Sequence, residues 1–347
     1  MLTKLFSPAQ GGFDYFSLFN GCKKAFALLL LFIVWQIYSY DLAAQPPVVN
    51  VSPATRALFQ AIRSGSTSEL EKQLTNGASV NDSLNSYSAL MAAALSGSLE
   101  QMKMLIDHGA NVNYIAQDGT NALWLAVPDW DKTKLLLDHG VDVQHTIGGY
   151  GILVKLAAMP GTAKIMQLLI EHGIDPKKSA PDNMLLYNAA SSGDTANLGM
   201  IIRSGLRVND TIVFGDYPIN GALFYRNAAT MKMLVENGAN VNISAKAFQL
   251  EAFNGFTPLM YAAVNNDKPS FYYLLEHGAD PNMKNKNGYT ALMMLQQAEE
   301  DDPAMTMALL NHGAEPSIKT PAGNDALHFA MQKGNTQSVA ILKKYTK

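Results

Sequence analysis

Asp107-His108-Gly109-Ala110-Asn111-Val112-Asn113 follows the apolar run Met102-Lys103-Met104-Leu105-Ile106. A glycine just past the last apolar residue stops a helix, because it takes the left-handed backbone that other residues resist. The same stop returns as Asp138-His139-Gly140-Val141, Glu171-His172-Gly173-Ile174, Glu236-Asn237-Gly238-Ala239, Glu276-His277-Gly278-Ala279 and Asn311-His312-Gly313-Ala314. Weaker copies are Asn76-Gly77-Ala78 and Ser204-Gly205-Leu206. From Gly77 to Gly313 the steps are 32, 31, 33, 32, 33, 40 and 35 residues, a period near 33. Such a period means stacked units, each burying its apolar face on its neighbours.

A second pattern lies nineteen residues before several of these glycines. It reads Thr257-Pro258-Leu259-Met260-Tyr261-Ala262-Ala263 before Gly278 and Ser88-Ala89-Leu90-Met91-Ala92-Ala93-Ala94 before Gly109. It reads Leu186-Tyr187-Asn188-Ala189-Ala190 before Gly205, and returns near the C-terminus as Asp325-Ala326-Leu327-His328-Phe329-Ala330. With the Gly-Ala-Asn-Val-Asn runs at 109–113 and 238–242, this resembles the ankyrin repeat. The resemblance implies an all-α solenoid of about nine helix-turn-helix units with projecting turns, spanning 54–347. It also implies protein recognition as the function and a structural role for the histidine before each glycine. His328 stands in the family's threonine-proline-leucine-histidine slot, as a hydrogen-bonding residue of the turn.

Four repeats depart from the pattern. The third places Pro128-Asp129-Trp130-Asp131 where its helix-helix turn belongs. In the sixth, only 15 residues separate Leu223 from Gly238, so its helices must be trimmed or joined more tightly. The seventh follows a longer connection, about 244–256, and the eighth holds Glu299-Glu300-Asp301-Asp302 between its helices. The ninth has no glycine stop and carries Lys333, Lys343, Lys344 and Lys347, as a polar cap requires.

Ahead of the array, Lys23-Lys24 precedes the apolar run 25–35, which thins out by Tyr40. Two cations before a short apolar core is the layout of a secretory signal. Two readings stay open: residues 1–44 are removed after Ala44, with export to a bacterial periplasm, or residues 25–40 remain as an inner-membrane anchor. Residues 45–53 form a proline-containing linker. Cys22, the single cysteine, lies ahead of the apolar run, so the array has no disulfide and rests on packing.

The 347 residues carry a net charge of -3 and are 48% hydrophobic, with no basic bias towards nucleic acid. No Gly-x-Ser-x-Gly, phosphate-binding glycine loop or His-Glu-x-x-His occurs. Gly148-Gly149-Tyr150-Gly151 reads as a turn, and the acidic run 299–302 as a solvated loop without calcium-loop spacing. The five histidines before glycines recur once per repeat, too far apart to converge on a metal. No catalytic set and no cofactor site emerge.

The expected function is a non-catalytic interaction scaffold that binds an unidentified protein partner on the concave face of the array. Aromatics on projecting turns and first helices are its candidate anchors, since they bury large area and keep a polar handle. The candidates are Tyr114, Tyr150, Phe214, Tyr217, Phe248 and Phe253 on turns, and Trp124, Tyr187 and Tyr225 on first helices. With net charge near zero, binding is expected to depend weakly on salt. One alternative is a ligand-binding protein or enzyme with its site at the 244–256 insertion, which requires a deep pocket with convergent polar groups; another is a membrane-anchored tether.

Overall fold

Short, well-capped helices build this chain. The computed structural model describes residues 52–246, 253–298 and 300–345. The expectations for residues 1–44 and Cys22, for the linker up to residue 51, and for Phe248 and Glu299 lie outside the described residues. Within them, no helix is long and apolar enough to cross a membrane.

The described residues form eighteen α-helices, two for each of the nine repeats. In order, the pairs are α1 (Pro53–Ser64) with α2 (Thr67–Thr75), α3 (Ala89–Ser96) with α4 (Leu99–Asp107), and α5 (Ala122–Ala126) with α6 (Trp130–Asp138). Then follow α7 (Ile152–Ala157) with α8 (Ala163–Glu171), α9 (Met184–Ser192) with α10 (Thr195–Arg203), and α11 (Pro218–Phe224) with α12 (Ala228–Glu236). The last are α13 (Pro258–Val264) with α14 (Lys268–Glu276), α15 (Ala291–Leu295) with α16 (Pro303–Asn311), and α17 (Ala326–Lys333) with α18 (Thr336–Tyr345). The chain divides into two compact units. One runs to Leu156 and includes Gly161–Pro181; the other takes Ala157–Pro160 and Asp182–Lys347.

First helices begin where the sequence supplies an oxygen for the N-cap. Ser88, Asn121, Thr257, Thr290 and Asp325 accept the backbone N–H of Met91, Trp124, Met260, Met293 and His328. At this slot it is therefore the backbone N–H of His328 that bonds the turn, while its exposed ring stands edge-on to Phe329. Pro53 opens α1 under the Ser52 cap, so the array starts one residue before 54. Proline suits the first helical position, where an N–H has no partner anyway.

Second helices end as expected. Gly109, Gly140, Gly173, Gly238, Gly278 and Gly313 all have positive φ. Nδ1 of His108, His139, His172, His277 and His312 lies 2.7–2.8 Å from the carbonyl four residues earlier, and the Asn237 amide donates to Met233 O in the same way. The histidine row thus satisfies carbonyls that a helix end leaves open.

Two sets of side chains join successive repeats. The first is an amide bracket four residues past the glycine. Asn113 donates to Gly140 O at 3.1 Å and accepts the Asp142 N–H at 2.6 Å. Asn242 does the same to Gly278 and Asp280, and Asn282 to Gly313 and Glu315. An amide side chain can donate from its nitrogen and accept at its oxygen at the same time. The second set caps first helices from behind. Buried Gln101 donates to Ala61 and Ile62 O, and the Lys132 ammonium to Ala93, Ala94 and Gly97 O. Asn227, Asn265 and Asn335 reach Ser191, Leu223 and Gln296 O.

The projecting turns add two small hairpins that a purely helical expectation does not contain. Ser83–Leu84 pairs with Tyr87–Ser88 across Asn85 and Ser86, and Thr146–Ile147 with Tyr150–Gly151 across Gly148 and Gly149. All four central residues have positive φ, as the tightest hairpin turn demands, so the Gly148-Gly149 turn stands. The short sixth repeat keeps a seven-residue α11 and turns through Arg226 at positive φ. In the seventh, Ala245 N–H donates to Phe256 O, closing the insertion as a lengthened turn. Phe253, Phe256 and Tyr261 stack beneath it with centroids 5.1–6.1 Å apart. In the acidic run Asp301 and Asp302 form a structural joint, while Glu300 is exposed as a solvated loop would have it. Asp301 accepts from Gln337 N–H and Ser338 Oγ–H at the start of α18, while Asp302 caps α16 and pairs with Lys268 at 2.8 Å.

Two glycines with the same backbone should therefore differ in cost. A methyl on Gly109 meets nothing within 4 Å, whereas one on Gly215 runs into the Lys246 carbonyl oxygen. We expect Gly109→Ala to cost only the left-handed penalty, about 1–2 kcal/mol. Gly215→Ala should cost about 3 kcal/mol or more, because overpacking adds to the same penalty. Urea midpoints of the two variants check this; equal shifts would remove the role given to the Gly215–Lys246 contact.

Candidate functional site

The candidate residues lie on the turns and first helices, and each unit brings together its own group. In the first unit Trp124 sits on the short helix α5, half-buried, with its ring nitrogen buried and without a hydrogen-bond partner. Lys155, one repeat on in α7, donates to Trp124 O at 2.5 Å and lies 5.9 Å from the centre of the Trp124 ring. Burial lowers the pKa of this ammonium to about 8. Tyr114, just past the Asn113 bracket, and Tyr150, which opens the second strand of its hairpin, are half-buried. Their turns are tied sideways: the Tyr87 hydroxyl donates to Asp118 at 2.7 Å, and His145 Nε2 lies 2.6 Å from Gly119 O. Partial burial works against the Asp118 carboxylate, but bonds from Thr120 N–H and Tyr87 outweigh it and lower its pKa.

In the second unit Tyr187 lies beside the Asp216 carboxyl and near Tyr225, while Tyr217 follows Asp216 in the chain. Asp216 accepts from the Asn220 amide at 2.7 Å and from Tyr217 N–H at 2.9 Å, and Tyr187 bonds to it as well. Tyr187 approaches α11 at Gly221, where any side chain would strike the Tyr187 ring and the Ser191 hydroxyl. Tyr225 packs edge-on against Phe224 at 5.1 Å. Burial, and then the Asp216 charge, raise the Tyr187 pKa well above the ordinary phenol value, and burial takes Tyr225 up to about 12. Burial likewise takes Asp216 up to about 6, against the hydrogen bonds from Asn220, Tyr217 and Tyr187.

Two of the nine candidates stand apart from these groups. Phe214 is 41% exposed at the tip of its turn, beside Val213 at 60%. Phe253 is only 3% exposed, because the insertion folds it onto Phe256 and Tyr261. Tyr289 and Tyr261 are buried too. Sequence reasoning passed over Lys155 and Val213. A comparison of equivalent slots would have found Lys155, since it stands 31 residues after Trp124. Two depressions among the described residues are open. One, of about 440 Å³, lies by Arg207 and Asn209; the other, of about 410 Å³, lies at the insertion by Lys246 and Lys284. Aromatic faces with polar edges, spread over several repeats, suit contact with a surface better than conversion of a small molecule.

The profile of the family described as Ankyrin repeats (3 copies) matches residues 58–147, 186–285 and 271–347. The chain belongs to the ankyrin-repeat family. It is similar to the ankyrin repeat domain-containing protein M-T5 of Myxoma virus (strain Lausanne), at 28% identity over 245 residues. That match covers 63% of this chain and 48% of the viral protein, so the chain spans about half the length of that relative. It is also similar to the human Notch-regulated ankyrin repeat-containing protein, at 35% identity over 81 residues, covering 22% of this chain and 71% of the human one. Ankyrin repeats suggest a protein-interaction scaffold with a protein partner.

Asp216 gives the site a pH signature. Its folded pKa, about 6, lies above the ordinary 3.8, so the native state holds a proton that the unfolded chain releases. The group's contribution is complete below about pH 4 and is lost as pH rises through about 6. At pH 7 the cost is on the order of 3 kcal/mol, since each tenfold change in proton affinity is worth about 1.4 kcal/mol. Asp216→Asn should remove most of the decline in stability between pH 4 and 7. Melting temperatures across that range check it; an unchanged slope would assign the decline to other groups.

Proposed function

We propose that this array is a non-catalytic scaffold that holds a protein partner on its concave face, through the turns and first helices. The observation that carries this is the pair of aromatic groups, Trp124 in one unit and Tyr187, Tyr217 and Tyr225 in the other. They come from several repeats, and each of these residues is only half-buried. Phe214 adds an exposed apolar tip. The open depression at the insertion favours this reading over a ligand-binding or enzymatic one, which needs an enclosed pocket.

The test is partner affinity, with the partner captured from the native source. We expect Trp124→Ala, Phe214→Ala and Tyr225→Ala to weaken binding, with the central anchors costing about 2 kcal/mol each. Phe253→Ala, by contrast, should cost stability, about 3 kcal/mol, as a core truncation does. Three folded variants with wild-type affinity would sink the assignment.

We also propose export, with removal of residues 1–44 after Ala44 and residence in a bacterial periplasm. Support comes from Lys23-Lys24 ahead of the short apolar run 25–35. N-terminal sequencing of the protein from its native host should begin at Gln45. A chain that starts at Met1 and sediments with membranes would instead favour an anchor at 25–40.

A further inference from the structure

The depression at the insertion is lined by Ser244, Lys246, Asn254, Lys284 and Lys286, among others. These three lysines are exposed, and none takes part in an ion pair among the described residues. They come from consecutive turns whose backbones are locked together. Lys246 N–H donates to Gly215 O at 2.8 Å, and Lys286 N–H to Asn254 O at 3.0 Å. The turn after them is as close, since a methyl on Gly288 would stand 2.8 Å from Pro321 Cδ. In that turn Lys319 holds the slot that Lys284 holds, four residues ahead of the turn glycine. Exposed Val213 and Phe214 adjoin Gly215 at the other end of the row. Among the described residues, the carboxylates of these turns lie elsewhere. Asp216 is held within its own turn, Asp280 and Glu315 stand at the turn bases beside the amide brackets, and Asp325 caps α17.

Granted the protein-binding role, we infer that this edge of the second unit docks an acidic peptide segment of the partner. Its carboxylates lie along Lys246, Lys284, Lys286 and Lys319, and an apolar side chain rests on Val213 and Phe214. Charge complementarity commits the choice: four exposed lysines, without an ion pair among the described residues, and an apolar tip at one end match a chain that is acidic with one apolar residue. Nucleic acid fits less well. The row contains no arginine to grip phosphate with two parallel bonds, and the chain as a whole carries a net charge of -3. Affinity at this edge therefore depends on salt, contrary to what the overall charge suggests, because contact is made with the local charge.

The test uses the full chain and fluorescein-labelled peptides of alternating glutamate and serine with one leucine, beside copies with glutamine for glutamate. Fluorescence anisotropy should show the acidic peptide bound and the glutamine copy weakened, with acidic binding falling as salt is raised. Joint Lys246→Glu, Lys284→Glu and Lys286→Glu replacement should cost the acidic peptide about tenfold. The substituted side chains are exposed, and circular dichroism verifies that the variant is folded. Equal binding of both peptides, indifference to salt, or tighter binding of a single-stranded oligonucleotide would overturn the inference. If charge reversal changes nothing while Trp124→Ala still weakens the captured partner, the acidic edge fails and the scaffold role stands. If neither changes affinity, both fail.

Discussion

Every helix end leaves backbone carbonyls without an internal partner, and in this chain the helices are so short that ends are most of what there is. A helix leaves its last four carbonyls open, and α5 and α15 have only five residues each. Buried carbonyls must find donors, or folding bears the desolvation cost. The donors come from the next repeat: Gln101 for α1, Lys132 for α3, Asn227 for α9, Asn265 for α11 and Asn335 for the end of α15. Histidine or asparagine serves the second helices from within. A single repeat could therefore bury neither its apolar face nor its helix ends. Stacking satisfies both together, which is why the period matters more than any one segment.

This arrangement separates what is fixed from what is free. Caps, brackets and apolar seams occupy the same slots in repeat after repeat, and they leave the turn tips and the outer part of the first helices to vary. The seventh repeat carries the largest variation, a turn lengthened by an insertion. It keeps the backbone pair that closes an ordinary turn, Ala245 to Phe256, beside the aromatic cluster of Phe253, Phe256 and Tyr261. Aromatics in such a turn are thus divided between holding the scaffold, as Phe253 does, and meeting a partner, as Phe214 is placed to do.

Charge follows the same division. The acidic run near 300 looks like a feature of the surface, yet Asp301 and Asp302 cap two helices and one of them holds Lys268. The lysines of the turns are scattered in sequence and attract no notice there, yet Lys246, Lys284 and Lys286 share one depression. A net charge of -3 averages over both and describes neither.

The repeat and its register are legible in the residues alone. Glycine stops, N-cap oxygens and alanine pairs such as Ala262-Ala263 act locally, and local conformation is set by a few neighbours. The structural role of the histidine row is legible in the same way, since one side chain per repeat cannot converge on an ion. Which aromatics reach the surface, and which charges meet, is settled only in the folded stack. Phe214 and Phe253 are both aromatics of projecting turns, but one is 41% exposed and the other 3%. Exposure depends on what the adjacent repeat lays over a side chain, and that neighbour stands some 33 residues away in the chain. The same distance hid Lys155 above Trp124, Tyr187 beside Asp216 and the lysines of the insertion edge. Each belongs to a contact between repeats, and such contacts come into being only when the stack closes.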